Sequence, residues 1–84
     1  MSGWIDDLAG ALELDPLTAS EADRLLRMAR DVAHRVERKG APLASFLVGM
    51  NVARRTAGGA ARAPALEEAI ASAEALLPPA PEDP

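Results

Sequence analysis

From Ala41 to Ala53 the chain carries no charged side chain, and within this run Leu43, Phe46, Leu47, Val48, Met50 and Val52 fall around most of a helical circumference. A helix that is apolar on nearly every side must be covered on several sides. The segment from Pro42 to about Arg55 is therefore expected to be the central element of a helical bundle. If three other helices fail to cover it, the remaining patch becomes an interface for a second copy or for a partner protein.

The rest of the chain supplies those other helices. Ala22, Leu25, Ala29, Val32 and Val36 recur every three or four residues, with Leu26 and Ala33 widening the stripe, and mark an amphipathic helix. Thr18-Ala19-Ser20-Glu21 fits a capping box, in which hydroxyl and carboxylate satisfy each other's free amides, so the helix begins at Thr18 or Ser20. Gly40 is placed to end it as a left-handed cap, and Pro42 suits the first turn of the next helix, where its missing N–H is not needed. Ahead of this pair, Trp4, Ile5, Leu8 and Leu12 form a first apolar stripe that Ser2 can cap, that Asp6 and Asp7 complement at the positive end of the helix dipole, and that Asp15-Pro16 stops. Behind it, Thr56 to Ala61 reads as a flexible linker or frayed helix end because of Gly58-Gly59. Pro64 restarts the chain, and Leu66, Ile70, Ala73 and Leu77 give a fourth helix a narrow seam, with Glu67, Glu68 and Glu74 expected in solvent. Gly49, which costs a helix interior roughly 1 kcal/mol against alanine, is expected to let a neighbouring backbone approach. These elements predict an all-α, small irregular four-helix bundle over residues 1–77, followed by a disordered tail over residues 78–84 that is rich in proline.

Several functions are excluded by what the chain does not contain. It has no cysteine and one histidine, so neither a thiolate site nor a multi-histidine metal site is expected, nor any cofactor. No apolar run approaches the roughly 20 residues of a membrane span, and no basic start followed by an apolar run resembles a signal peptide; a cytoplasmic, membrane-free protein is expected. The formal charge of −4 disfavours general nucleic-acid binding. The charge is unevenly spread, however. Residues 1–20 hold four acids and no base, residues 21–39 hold six bases and four acids, and residues 64–84 hold five acids only. With only Trp4 and Phe46 as aromatics, both expected in the core, there is no stacking platform for single strands. A helix-turn-helix is opposed by the uncharged helix that would have to read bases.

Candidate binding residues sit around the expected bend at Gly40. His34 falls on the polar side of its helix with Arg27, Arg30, Asp31 and Arg38. A plain reading makes this a solvated face, with Asp23–Arg27 and Asp31–Arg35 as exposed ion pairs. A sharper reading places His34 and Arg38, one turn apart, near the start of the next helix, where Leu43, Ala44 and Ser45 offer amides and a hydroxyl to an anion or an acidic partner, supported by Arg30 and Arg35. Arg54, Arg55 and Arg62 flank the glycine pair and suit either an acidic surface or the negative end of a helix dipole. No nucleophile is paired with a base, Ser20 and Ser45 read as caps, and no enzyme activity is expected.

The span Arg30-Asp31-Val32-Ala33-His34-Arg35-Val36-Glu37-Arg38, with Ala41-Pro42-Leu43-Ala44-Ser45-Phe46-Leu47-Val48-Gly49 after it, resembles a family of small actinobacterial helical domains of unknown function. Members of that family are fused to, or associated with, the guanylyltransferase that builds the dinucleotide form of the molybdenum cofactor. The tryptophan-led helix from Trp4 to Leu14 is similar in kind, so the resemblance covers about residues 4–55. It implies a cytoplasmic accessory role beside molybdenum cofactor guanylylation, with the guanylyltransferase as partner. The residues themselves point to a non-enzymatic accessory or protein-interaction domain, with a homodimer through the apolar helix three as a further expectation. The alternative is a domain that holds a phosphorylated pterin or nucleotide at the junction of helices two and three.

Overall fold

A computed structural model describes residues 3–81, and every regular element among them is a helix. In chain order these are α1 (Trp4–Ala11), α2 (Ala19–Arg35), α3 (Gly40–Ala57) and α4 (Arg62–Glu74). The protein is a small all-α four-helix bundle, but its helices do not share the core equally. The buried cluster of Met28, Val32, Val48, Leu66, Ala69 and Ile70 is drawn from α2, α3 and α4 alone, with Leu25, Ala44, Val52, Ala73 and Leu77 packed against it. Met28 and Ile70 are wholly buried. Helix α1 contributes no buried residue and faces this three-helix core across a groove, without close backbone contact to another helix among the described residues.

Local chemistry sets the boundaries. The capping box at the start of α2 forms: the Thr18 hydroxyl accepts from the Glu21 amide at 3.1 Å, and Glu21 Oε1 accepts from the Thr18 amide at 2.9 Å. Helix α1 stops at Ala11, before Asp15-Pro16, because Glu13 adopts a left-handed φ of 57° and sends the Leu14 amide back to the Ala9 carbonyl. The same closure ends α3, where Gly59 at φ 108° lets the Ala60 amide reach the Arg55 carbonyl. Thr56 and Ala57 thus belong to α3, and the glycine pair forms a hydrogen-bonded turn. Expected capping by Ser2 lies outside the described residues, as do residues 82–84 of the expected tail.

Gly40 corrects the sequence reading. It is the first residue of α3 rather than a left-handed cap of α2, and its constraint is steric: a Cβ there would stand 3.2 Å from Val32 Cγ1 and 3.6 Å from Glu37 Cγ. The chain still reverses sharply, because α2 ends at Arg35 and the Glu37 amide turns back to the Val32 carbonyl. At Gly49 no atom outside its own helical turn comes within 4 Å of a built Cβ, so this chain brings no neighbouring backbone to that position. The expected burial of the two aromatics also fails. Trp4 is 70% exposed and Phe46 is 67% exposed, since among the described residues neither α1 nor any other element covers the outer side of α3.

Candidate functional site

The arginines divide into two groups, and the division locates the candidate site. Three are consumed inside the fold. Arg24 on α2 is held by two carboxylates of α4, its Nε donating to Glu67 at 2.9 Å and its Nη2 to Glu74 at 2.6 Å. Arg62, at the start of α4, donates to Glu21 at 2.7 and 3.0 Å and closes the α1–α2 connection by donating to the Asp15 and Pro16 carbonyls at 2.8 and 2.6 Å. Arg55 spans from the Asn51 side chain to Glu68, at 2.7 and 2.6 Å. Of the α4 acids expected in solvent, Glu67 and Glu68 are exposed and Glu74 is half-buried, and all three also pair with arginines of α2 and α3.

The buried ends of these pairs titrate accordingly. Glu21 is only 6% exposed, yet the Arg62 guanidinium bonded to it holds its carboxyl below the usual range, against the opposing effect of burial. Glu74 is likewise held low, first by its bonds to Arg24 and further by the charges of Arg27 and Arg35. Arg24 and Arg62 are correspondingly raised by their carboxylate partners.

Six cationic or titratable side chains remain outward: Arg27, Arg30, His34, Arg38, Lys39 and Arg54 are all exposed. Arg30 makes only a 3.7 Å contact with its neighbour Asp31. Four of the six, Arg30, His34, Arg38 and Lys39, lie between the last turns of α2 and the start of α3. Arg38 does not stand one turn above His34, since α2 ends at Arg35 and Arg38 belongs to the turn. Arg35 parts company with them, being half-buried and close enough to act on Glu74. Asp23–Arg27 and Asp31–Arg35 do not appear among the ion pairs of the described residues.

Ser45 lies elsewhere. It is no cap, because its hydroxyl donates to the Ala41 carbonyl at 2.9 Å in mid-helix, and it lines a groove between α1 and the core that none of the four corner cations touches. Of the backbone donors expected around it, the amides of Ala44 and Ser45 fall inside the helix once α3 starts at Gly40. The Gly40 and Ala41 amides donate to the Glu37 and Arg38 carbonyls, and Pro42 has none. What the corner offers a ligand is therefore a set of cationic side chains.

A second surface was foreshadowed by the uncharged segment. Lys39, Leu43, Phe46, Leu47, Met50 and Arg54 follow at helical spacing on the outer side of α3, and all six are exposed. This is an apolar ridge tipped by a cation at each end. The groove beside it, about 460 Å³, runs between Ile5, Leu8 and Leu12 of α1 and Val48, Gly49 and Val52 of α3, and is almost wholly aliphatic. Among the described residues no group of three or more acidic, histidine or cysteine side chains is placed to hold a metal, and no helix is long and apolar enough to cross a membrane.

Fold and surface together define a small helical domain whose ion pairs tie α2 and α3 to α4 and whose outer side presents apolar side chains and cations outside those pairs. The chain belongs to a family described as a domain of unknown function, DUF6457, whose model matches residues 1–83. No curated protein and no solved structure matches it.

Proposed function

We propose that this chain is a non-enzymatic accessory module that binds an acidic surface on a partner protein through the α2–α3 corner. The observation that carries this reading is the division of the cations. In a chain of net charge −4, Arg24, Arg55 and Arg62 are bound to carboxylates, whereas Arg30, His34 and Arg38 project together in sequence and outward in space. Exposed cations that do no work in the fold steer encounter with negative surfaces and set partner choice. The resemblance of residues 30–49 favours the molybdenum cofactor guanylyltransferase as that partner, in a cytoplasmic accessory role. His34 adds a ring N–H donor to the contact, and Arg30 extends it along α2.

The test is capture of the purified guanylyltransferase by this chain. Binding should be lost in Arg38→Glu and weakened by salt, while helicity is unchanged. Equal capture by parent and variant, or none by either, sinks the reading. The same corner cations favour a second reading, a phosphorylated pterin or nucleotide held by Arg30, His34 and Arg38, without the Ser45 and Arg35 that the sequence placed beside them. Titration with GTP should then move backbone NMR signals around Gly40, and unmoved signals reject it.

A further inference from the structure

We propose that two copies of this chain pair, each laying the exposed edge of its α1 against the cation-tipped ridge of α3 in the other. Three observations converge on a second copy as occupant. Both surfaces stay open within one chain: Trp4 of α1, with Leu8 and Leu12 at the edge of the groove, and Leu43, Phe46, Leu47 and Met50 of α3 are exposed. Their charges are opposite. Asp6 and Asp7 lie on α1, Glu13 and Asp15 follow it, and the first twenty residues hold no base; the ridge has Lys39 at one end and Arg54 at the other, neither in an ion pair among the described residues. The core is also small. Eight apolar residues are buried among those described, three of them alanines, against eleven large apolar residues left exposed. A domain of this size gains what its own core lacks by oligomerising.

Two-fold symmetry completes the argument. An isologous pair makes each contact twice, so a modest α1-on-α3 contact is doubled and brings two apolar edges on each copy out of water. An unrelated partner with an apolar, acidic helix satisfies the same ridge but leaves α1 uncovered; a second copy covers both. The pairing uses Arg54 and, of the four corner cations, Lys39 alone; it needs neither Arg30, His34 nor Arg38, the residues on which the partner reading above rests.

Sedimentation equilibrium on the whole chain, from about 1 μM to about 1 mM, decides it. The expected result is a reversible monomer–dimer equilibrium whose dissociation constant rises at least about tenfold between about 0.1 M and about 1 M salt, as screening weakens the charge contacts. Lys39→Glu with Arg54→Glu should abolish the dimer without loss of helicity, because neither residue supports the fold. Adding Asp7→Lys and Glu13→Lys, both at exposed acids of the α1 edge, to that variant should restore it, which a change confined to one surface cannot do. Phe46→Asp should leave a helical monomer. A chain monomeric throughout the range overturns the proposal. So does a dimer that survives the paired Lys39 and Arg54 reversals, or one that the four-fold charge swap fails to restore.

Discussion

The seam between α2 and α4 and the outer side of α3 use the same residue types for opposite ends. In the seam, apolar side chains interlock around Met28 and Ile70, and arginines are spent on carboxylates at 2.6 to 3.0 Å. On the outer side, Leu43, Phe46, Leu47 and Met50 face water, and Lys39 and Arg54 pair with nothing among the described residues. The first region fixes where the helices lie, and a change there is felt as stability. The second contributes little to the fold of one chain, so what it presents is free to serve recognition.

The sharpest way to break this comparison is at its most buried point. Met28 is wholly buried, so Met28→Ala should destabilise the domain by about 2–5 kcal/mol through lost transfer energy and an unfilled cavity. Thermal or denaturant unfolding followed by circular dichroism measures it. A loss under about 1 kcal/mol would mean that the seam collapses to fill the gap and is not the rigid part of the molecule.

Next in size is the Arg62 junction. Arg62→Ala strands the Glu21 carboxylate, nearly buried in the capping box, and also releases the carbonyls of Asp15 and Pro16. Because Arg62 is about a third exposed, the expected loss is below that of a fully buried pair, about 2 kcal/mol. The pH dependence follows the same pair and that of Arg24 with Glu74. Both carboxyls are held below their ordinary value of 4.5, so their stabilisation is fully present above that pH and is lost as pH falls through the lowered values. Unfolding midpoints measured between pH 7 and pH 3 should be flat and then fall below about 4.5, and Arg62→Ala should fall less steeply.

A smaller effect is expected where the sequence was most legible. Thr18→Ala removes one half of the capping box and should cost about 1 kcal/mol in the same unfolding measurement. That motif could be read because its two partners lie three residues apart. The apolar seam of α4 was legible for the same reason: Leu66, Ile70, Ala73 and Leu77 repeat within one helix. Contacts between distant positions were not. Nothing local distinguishes Arg24, which meets Glu67 and Glu74, from Arg30, which meets only Asp31, because the partners are some forty to fifty residues away. The same blindness placed Phe46 and Trp4 in the core, since periodicity identifies an apolar side chain but not whether another helix arrives to cover it. Gly40 was noticed as special, but for its turn; the reason is Val32, eight residues back and across the bend.

The smallest expected effect is the most telling for the candidate site. Arg30 is the counterpart of Arg62 in residue type and its opposite in environment, with its side chain 63% exposed and a single 3.7 Å contact to an adjacent acid. Arg30→Ala should change unfolding stability by no more than about 0.5 kcal/mol, measured beside Arg62→Ala under the same conditions. If both replacements cost the same, the division of arginines into structural and free fails, and with it the ground for assigning the α2–α3 corner to a partner. If they differ as expected, Arg30 is held by no requirement of folding, and any loss of partner capture in that variant is a loss of recognition alone.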